Sequence, residues 1–257
     1  MTMEADRKTY ELSKEQHDFY HENGYLVVQN LISGEEADRL LESIAPHADK
    51  DFAAIMNADR EEELARQAPH SSPESVTATS KLFRNYLKDS RLVSVLEALQ
   101  GREVVGLMSQ MLFKWVGTPY ALQAWNPHQD NTYPRNANKQ YITTNLFFGD
   151  ADRENGSLYI YPGSHNEDLL PSKPTVSYRE EKGSNPGNTV DVPNTYSRVD
   201  LSFKKGDLVV LNGNTIHGSY PNLSKTRSRP LFSCSYISKG EDFIPGESAR
   251  RRVIPLH

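Results

Sequence analysis

One cysteine in 257 residues, Cys234, excludes an intrachain disulfide and a thiolate-bound metal cluster. It sits between Ser233 and Ser235 in a strand-like run, the setting of a buried and inert thiol. Long apolar runs are also missing, and none approaches the roughly 20 residues that a membrane-spanning helix needs. Nor is there a basic block: 29 Lys and Arg stand against 34 Asp and Glu, a net charge of −5, so nucleic acid is not an expected partner. Residues 1–7 carry no apolar stretch of the kind an export signal requires, which leads us to expect a cytoplasmic protein. No internal repeat is present.

The chain is long enough to bury a large core, and one domain over residues 1–257 is expected. Ser13 and Gln16 form a capping-box pattern before a helix that ends at Asn23-Gly24, and Tyr25-Leu26-Val27-Val28 reads as a buried strand. A second helix starts at Ser33, with Ala37, Leu40, Leu41 and Ile44 at helical spacing. Residues 51–80 are polar and weakly patterned, and 67–73 read as an exposed loop suited to a lid. Helical spacing resumes over 86–99. From 103 the period changes to that of strands: 104–108, 109–114, 141–148, 158–161, 207–211 and 231–237. Residues 166–200 form a long polar insertion, again suited to a lid. Helices followed by short strands predict a mainly β fold with flanking helices: a helical layer over about 13–100 and a jelly-roll core over about 103–240.

The stretch that carries chemistry is Trp125-Asn126-Pro127-His128-Gln129-Asp130-Asn131. In an extended strand residues i and i+2 share a face, so His128 and Asp130 can converge on one point. An imidazole and a carboxylate suit a divalent first-row metal, and Fe(II) in particular once a second histidine joins them. His217, just past the apolar run Leu208-Val209-Val210-Leu211, is that histidine. Two histidines and one carboxylate leave three coordination positions open. His165, after the turn Pro162-Gly163-Ser164, reads as structural, as do Asp150 and Asp152 beside the Asn155-Gly156 turn.

These residues bring the chain close to a known family. It resembles the phytanoyl-CoA dioxygenase-like branch of the Fe(II)/2-oxoglutarate-dependent oxygenases. The likeness covers Gln16…Phe19…Asn23-Gly24-Tyr25, His128-Gln129-Asp130, Glu154-Asn155-Gly156-Ser157…Pro162-Gly163-Ser164-His165, and Lys205-Gly206-Asp207…His217-Gly218-Ser219…Asn222. It implies a double-stranded β-helix of the cupin type, with iron held by His128, Asp130 and His217. It also implies 2-oxoglutarate and O2 as co-substrates and release of succinate and CO2. In the family an arginine past the second histidine holds the far carboxylate of 2-oxoglutarate. Arg227 and Arg229 both fall near that spacing, and alignment back from the final strand favours Arg229. Gln129, Ser219 and Met111 match the co-substrate pocket, and Asn145 falls where many relatives carry a tryptophan. Retention of Asp130 implies hydroxylation rather than halogenation, while desaturation, epoxidation and ring formation use the same ligands and stay open.

The polar segment 131–139, with Arg135 and Lys139, suits a small polar or anionic metabolite as substrate. The expected assembly is a monomer or homodimer. Two other readings stay open at this point. One is a cupin-like metal protein that binds a ligand without turnover. The other is a metalloenzyme on a related scaffold that does not use 2-oxoglutarate.

Overall fold

Two capping boxes, Ser13 with Gln16 and Ser33 with Glu36, start α1 (Lys14–Asn23) and α2 (Gly34–Ile44), and β1 (Tyr25–Val28) runs between them. The computed structural model describes residues 9–48, 54–175, 188–246 and 250–257. Residues 1–7 and the stretch 176–187 of the expected lid insertion lie outside the described residues.

The polar stretch 51–80 departs from the expectation. It contributes β2 (Ala54–Met56), α3 (Glu61–Gln67) and the first half of α4 (Pro73–Leu87), with Ser72 as N-cap. The helix was hidden because its buried stripe uses small polar residues. Thr79 and Ser80 are buried with Val76 and Phe83, and Thr79 bonds the Ser43 hydroxyl (2.6 Å) and His47 (3.1 Å). Residues 67–73 are not a lid. Gln67 holds both backbone groups of Met56, and Ser71 bonds His47, which fixes the segment within the helical layer. A break at Lys88-Asp89 then separates α4 from α5 (Ser90–Gln100).

β3 (Val104–Lys114) is one strand rather than two. Opposite it, the register passes from Ser235↔Met108 to Tyr236↔Gly106, so Leu107 is an extra, bulged residue. The bulge resets the period of two, and the sequence pattern breaks there. The remaining strands are β4 (Trp125–His128), β5 (Tyr141–Phe147), β6 (Leu158–Ile160), β7 (Ser172–Pro174), β8 (Asn188–Val190), β9 (Val199–Asp200), β10 (Leu208–Asn212), β11 (His217–Ser219) and β12 (Arg229–Ser238).

Six strands form one antiparallel sheet in the order β1-β10-β5-β12-β3-β2, and four form a second in the order β4-β11-β6-β9. Together they make the double-stranded β-helix. Alternation along the six-stranded sheet divides its two faces. Met111, Phe113, Leu146, Phe232, Cys234 and Tyr236 pack outward in one cluster with Leu40, Phe83, Leu87 and Leu96 of the helices. Leu112, Phe147, Val209, Leu211 and Leu231 point inward and meet Leu158 and Ile160 of the second sheet. Every residue of β5 is buried because it lies between these layers. Among the described residues no helix is long and apolar enough to cross a membrane.

The helical layer is bound to the sheet by an aromatic contact, Phe83 edge-on to Phe232 at 4.6 Å between ring centroids. Phe83 is fully buried. In Phe83→Ala, chemical denaturation is expected to show a loss of about 3–5 kcal/mol. A loss below about 1 kcal/mol would mean that the helices are only peripheral to the stability of the β core.

Candidate metal and co-substrate site

His128 ends β4 and His217 begins β11, and the two residues are direct partners across that strand pair. Their rings lie 4.4 Å apart between centroids. Extended backbone continues through Gln129 (φ −113, ψ 122), so Asp130 returns to the same face as His128 and opens a short 3-10 turn. The donor atoms of His128, Asp130 and His217 all lie within 4.8 Å of one another. Nε2 of His128 is 3.4 Å from one Asp130 oxygen, and Nε2 of His217 is 3.7 Å from the other. Donors about 2 Å from one ion and at right angles stand roughly 3 Å apart, so the group is close to the geometry of three ligands on one face.

Outer contacts orient each ligand. Nδ1 of His128 meets the Asn126 carbonyl at 2.7 Å, and Nδ1 of His217 meets the Thr215 carbonyl at 3.0 Å. A proton on each Nδ1 leaves Nε2 with a free lone pair for a metal. The Thr143 hydroxyl donates to Asp130 at 2.7 Å. Burial alone would raise the Asp130 carboxyl, but His217, His128 and Thr143 together hold it well below the usual carboxylate range. Burial pulls His217 down, whereas Asp130 outweighs burial at His128 and lifts it. An ionised carboxylate between two imidazoles is the donor set that a divalent ion of the Fe(II) type takes.

Two residues along β11 from His217, Ser219 opens the second part of the site. Its hydroxyl accepts from Nζ of Lys114 at 2.9 Å. Lys114 is the register partner of Arg229, and both are almost fully buried. Neither has a carboxylate within ion-pair distance among the described residues. Arg229 spends its Nε on the Gly156 carbonyl (3.0 Å), and its Nη1 has no partner. Burial lowers Arg229 to about 10, and burial together with the Arg229 charge pulls Lys114 well below its ordinary value. Two adjacent buried cations without a counter-ion call for an anion. The distance from His217 to Ser219, roughly 7 Å along a strand, matches a short dicarboxylate with one end on the metal.

Gly156 belongs to this architecture. At φ +90 it lies where a Cβ would stand 2.9 Å from the Tyr220 carbonyl and 3.0 Å from the Lys114 side chain. Gly218 is tighter still, because a Cβ there would fall 2.3 Å from the Tyr159 hydroxyl and 2.4 Å from the Trp125 carbonyl. Gly218→Ala must therefore push β11 away from β4 and separate His217 from His128. We expect metal affinity to fall by at least the ~10–100-fold typical of a lost outer partner. Equilibrium dialysis would measure this, and unchanged affinity would show that β11 absorbs the methyl without moving its histidine.

The structure separates the remaining expected residues. Arg227 is bound to Asp152 (2.7 and 3.0 Å) and Glu154 (2.6 Å), and does not face the two buried cations. Gln129 is fully buried on the far side from the metal donors. Its amide donates to the carbonyls of Asp168 and Asn214 and accepts from the Leu170 backbone, so it has no capacity left for a co-substrate. Met111 does not reach the site either: β3 alternates, and Met111 faces the helical layer between Ile55 and Phe232. Asn145 does lie on the inner face, two residues from Thr143 and opposite Ser233. His165 is elsewhere, with Nε2 on the His21 carbonyl, in a separate pocket with Tyr20 and Lys139. Arg135 is exposed, and Lys139 is committed to Asn166 and Asp168. Sequence reasoning missed Lys114, whose signal was a lysine within an otherwise apolar strand end, and Thr143.

The family profile of phytanoyl-CoA dioxygenase (PhyH) matches residues 20–230. The chain belongs to that family. A relative is the peroxisomal phytanoyl-CoA dioxygenase of Rattus norvegicus, 28% identical over 95% of this chain and 75% of the relative. Among solved structures, the nogalamycin-biosynthesis epimerase bound to Fe3+ and α-ketoglutarate superposes with a TM-score of 0.67 at 20% identity, covering 95% of both chains. An ectoine enzyme of S. alaskensis, with 2-oxoglutarate and 5-hydroxyectoine, gives 0.67 at 17% identity over 95% of this chain and 85% of that one. The phytanoyl-CoA dioxygenase family uses Fe(II), 2-oxoglutarate and O2, and this member is a 2-oxoglutarate-dependent non-haem iron dioxygenase acting on a small molecule.

Proposed function

We propose that the protein hydroxylates a small polar metabolite, with His128, Asp130 and His217 as iron ligands. In this reading Arg229 and Lys114, with the Ser219 hydroxyl, hold the far carboxylate of 2-oxoglutarate. The observation that carries it is the pairing of a convergent His-Asp-His group with two buried cations that no carboxylate of the described residues compensates, reached through Ser219 two residues along β11 from His217. Bound iron with 2-oxoglutarate supplies oxygen activation, releasing succinate and CO2.

The chain's own residues do the rest. The Arg229 guanidinium fixes direction as well as charge, since its planar fork fits a carboxylate in a way an ammonium does not. Lys114 adds a second donor from the adjacent strand. Tyr120 and Trp125 close this end, with the Tyr120 hydroxyl beside the Trp125 indole N–H. Apolar Leu231, Leu158 and Ile160 keep water from the inner wall. Asp130 would take, on a bound iron, the position that a halide needs, which favours hydroxylation over halogenation. Thr143, Asn145 and Ser233 give the wall beside the metal a polar face, which supports a small polar substrate over a long acyl chain.

Gln129 serves as a positioning residue that joins the metal strand to 168–170. In the described part of the insertion, β8 lies against β4 and Thr189 bonds the Pro127 carbonyl at 3.0 Å. That contact supports a cover over the metal strand. A screen of small polar metabolites by succinate release, with mass spectrometry of the products, tests the proposal. The expected hit couples succinate to a product heavier by one oxygen. Products lacking that oxygen, or succinate stimulated only by fatty acyl thioesters, would overturn it.

A further inference from the structure

Three consecutive arginines near the C-terminus have different fates. Arg250 pairs with Glu63 (3.8 Å) and Arg252 with Glu62 (3.1 Å), both on α3, and both arginines are exposed. Arg251 between them turns inward and is only 8% exposed. Its Nε has no partner, and no carboxylate of the described residues lies within ion-pair distance. The backbone fixes this turn. Arg251 N–H bonds the Pro245 carbonyl, Arg252 N–H bonds Leu107 at the bulge of β3, and Ile254 exchanges two hydrogen bonds with Gly106. Two arginines are thus spent on the surface, and the buried one meets no carboxylate among the described residues. Burying a guanidinium with part of its fork unpaired is costly, which marks a place where a ligand completes the pairing.

Its surroundings identify the ligand's position. The guanidinium stands 5.8 Å from the Tyr133 ring centroid. Tyr141 meets the Arg251 side chain in a hydrogen bond, and both Tyr133 and Tyr141 feel the charges of Arg251 and of Asp130. Tyr141 shares the inner face of β5 with Thr143, the partner of Asp130, two residues along. Along β12, Ile237 pairs with Tyr141, whereas Leu231 and then Arg229 follow in the opposite direction past Ser235 and Ser233. The interior therefore has a cationic end on each side of the metal: Lys114 with Arg229 on one, Arg251 on the other.

We propose that Arg251 binds an oxyanion of the primary substrate, so that the enzyme acts on a small carboxylate or phosphate ester oxidised a few bonds from its charged group. This rests on the oxygenase reading above, in which the opposite cations are filled by 2-oxoglutarate. Tyr133 and Tyr141 would flank the anion as neutral hydroxyl donors.

The test uses the full chain loaded with Zn(II) and saturating 2-oxoglutarate, so that no turnover occurs and the co-substrate end is filled. Ligand-detected NMR then compares short carboxylates with their primary amides, and phosphate monoesters with the parent alcohols. Anionic members should bind better than their neutral mates, and the class that does so identifies the oxyanion. Arg251→Gln should abolish that preference, weakening the anions about 10–100-fold, while Arg251→Lys regains part of it. The visible Fe(II)/2-oxoglutarate chelate band should persist in both variants, which separates this subsite from the metal centre. No anionic preference in the wild type, or one that survives Arg251→Gln, overturns the assignment. A melting temperature lowered by Arg251→Gln with the preference intact would do the same, by making the arginine a tether for the tail.

Discussion

In His217→Ala, succinate release from 2-oxoglutarate is expected to fall to the rate of a control without protein. The fold should survive, because His217 contributes an aimed Nε2 rather than bulk packing, and β11 keeps its pairing with β6 through Gly218 and Ser219. The loss should exceed the ~10–100-fold that follows removal of an outer-sphere partner, because a direct donor is gone. His165→Ala is the matched control. That ring leans on the His21 carbonyl and faces a different pocket, so turnover should persist. Assay of the two variants side by side decides which histidine completes the metal group. Activity retained in His217→Ala and lost in His165→Ala would require a different centre.

Lys114→Met should stabilise the ligand-free protein while impairing it as an enzyme. Lys114 is fully buried beside Arg229, and its bonds to the Ser219 hydroxyl and Tyr220 carbonyl do not neutralise its charge. Replacing such a cation with an apolar side chain of similar length is expected to gain about 1–4 kcal/mol. For a chain of this size each kcal/mol raises the melting temperature by roughly 2–4 °C. Affinity for 2-oxoglutarate should fall about 10–100-fold with the loss of one charge-assisted bond.

The pH dependence has a definite sign. The lysine's folded pKa is depressed by burial and by Arg229, so the unfolded chain binds the extra proton across the window from the folded value to the ordinary one. Wild-type stability without ligand should therefore rise with pH through that window, relative to Lys114→Met. Thermal melts of both proteins between neutral pH and about pH 10, with and without 2-oxoglutarate, check both parts. A variant that melts lower at every pH, yet binds 2-oxoglutarate normally, would make Lys114 a purely structural donor.

Much of this was legible in the sequence where side-chain period and chemistry coincide. The spacing of His128 and Asp130 works because the backbone stays extended through Gln129. Serines at 13 and 33 announce helices because their hydroxyls cap them. What escaped did so for physical reasons. The first half of α4 buries Thr79, which bonds Ser43 and His47, and Ser80, which bonds the Thr77 carbonyl of its own helix, and these polar residues hide the apolar stripe. Met111 and Gln129 are assigned by strand alternation, and the phase of β3 is reset by the Leu107 bulge. The choice between Arg227 and Arg229 depends on Asp152 and Glu154, which are distant in sequence and claim Arg227 at the surface. Lys114 and Arg251 look like ordinary surface charges until the fold buries them.

The most direct measurement is an anaerobic titration of the metal-free protein with Fe(II) and then 2-oxoglutarate, following the weak visible charge-transfer band of the chelate. The wild type is expected to develop the band at stoichiometric iron. His217→Ala should show none, and Arg229→Ala should need far more 2-oxoglutarate to reach it. Iron bound at one equivalent with no band on adding 2-oxoglutarate would contradict the account, leaving a metal protein whose buried cations serve another anion.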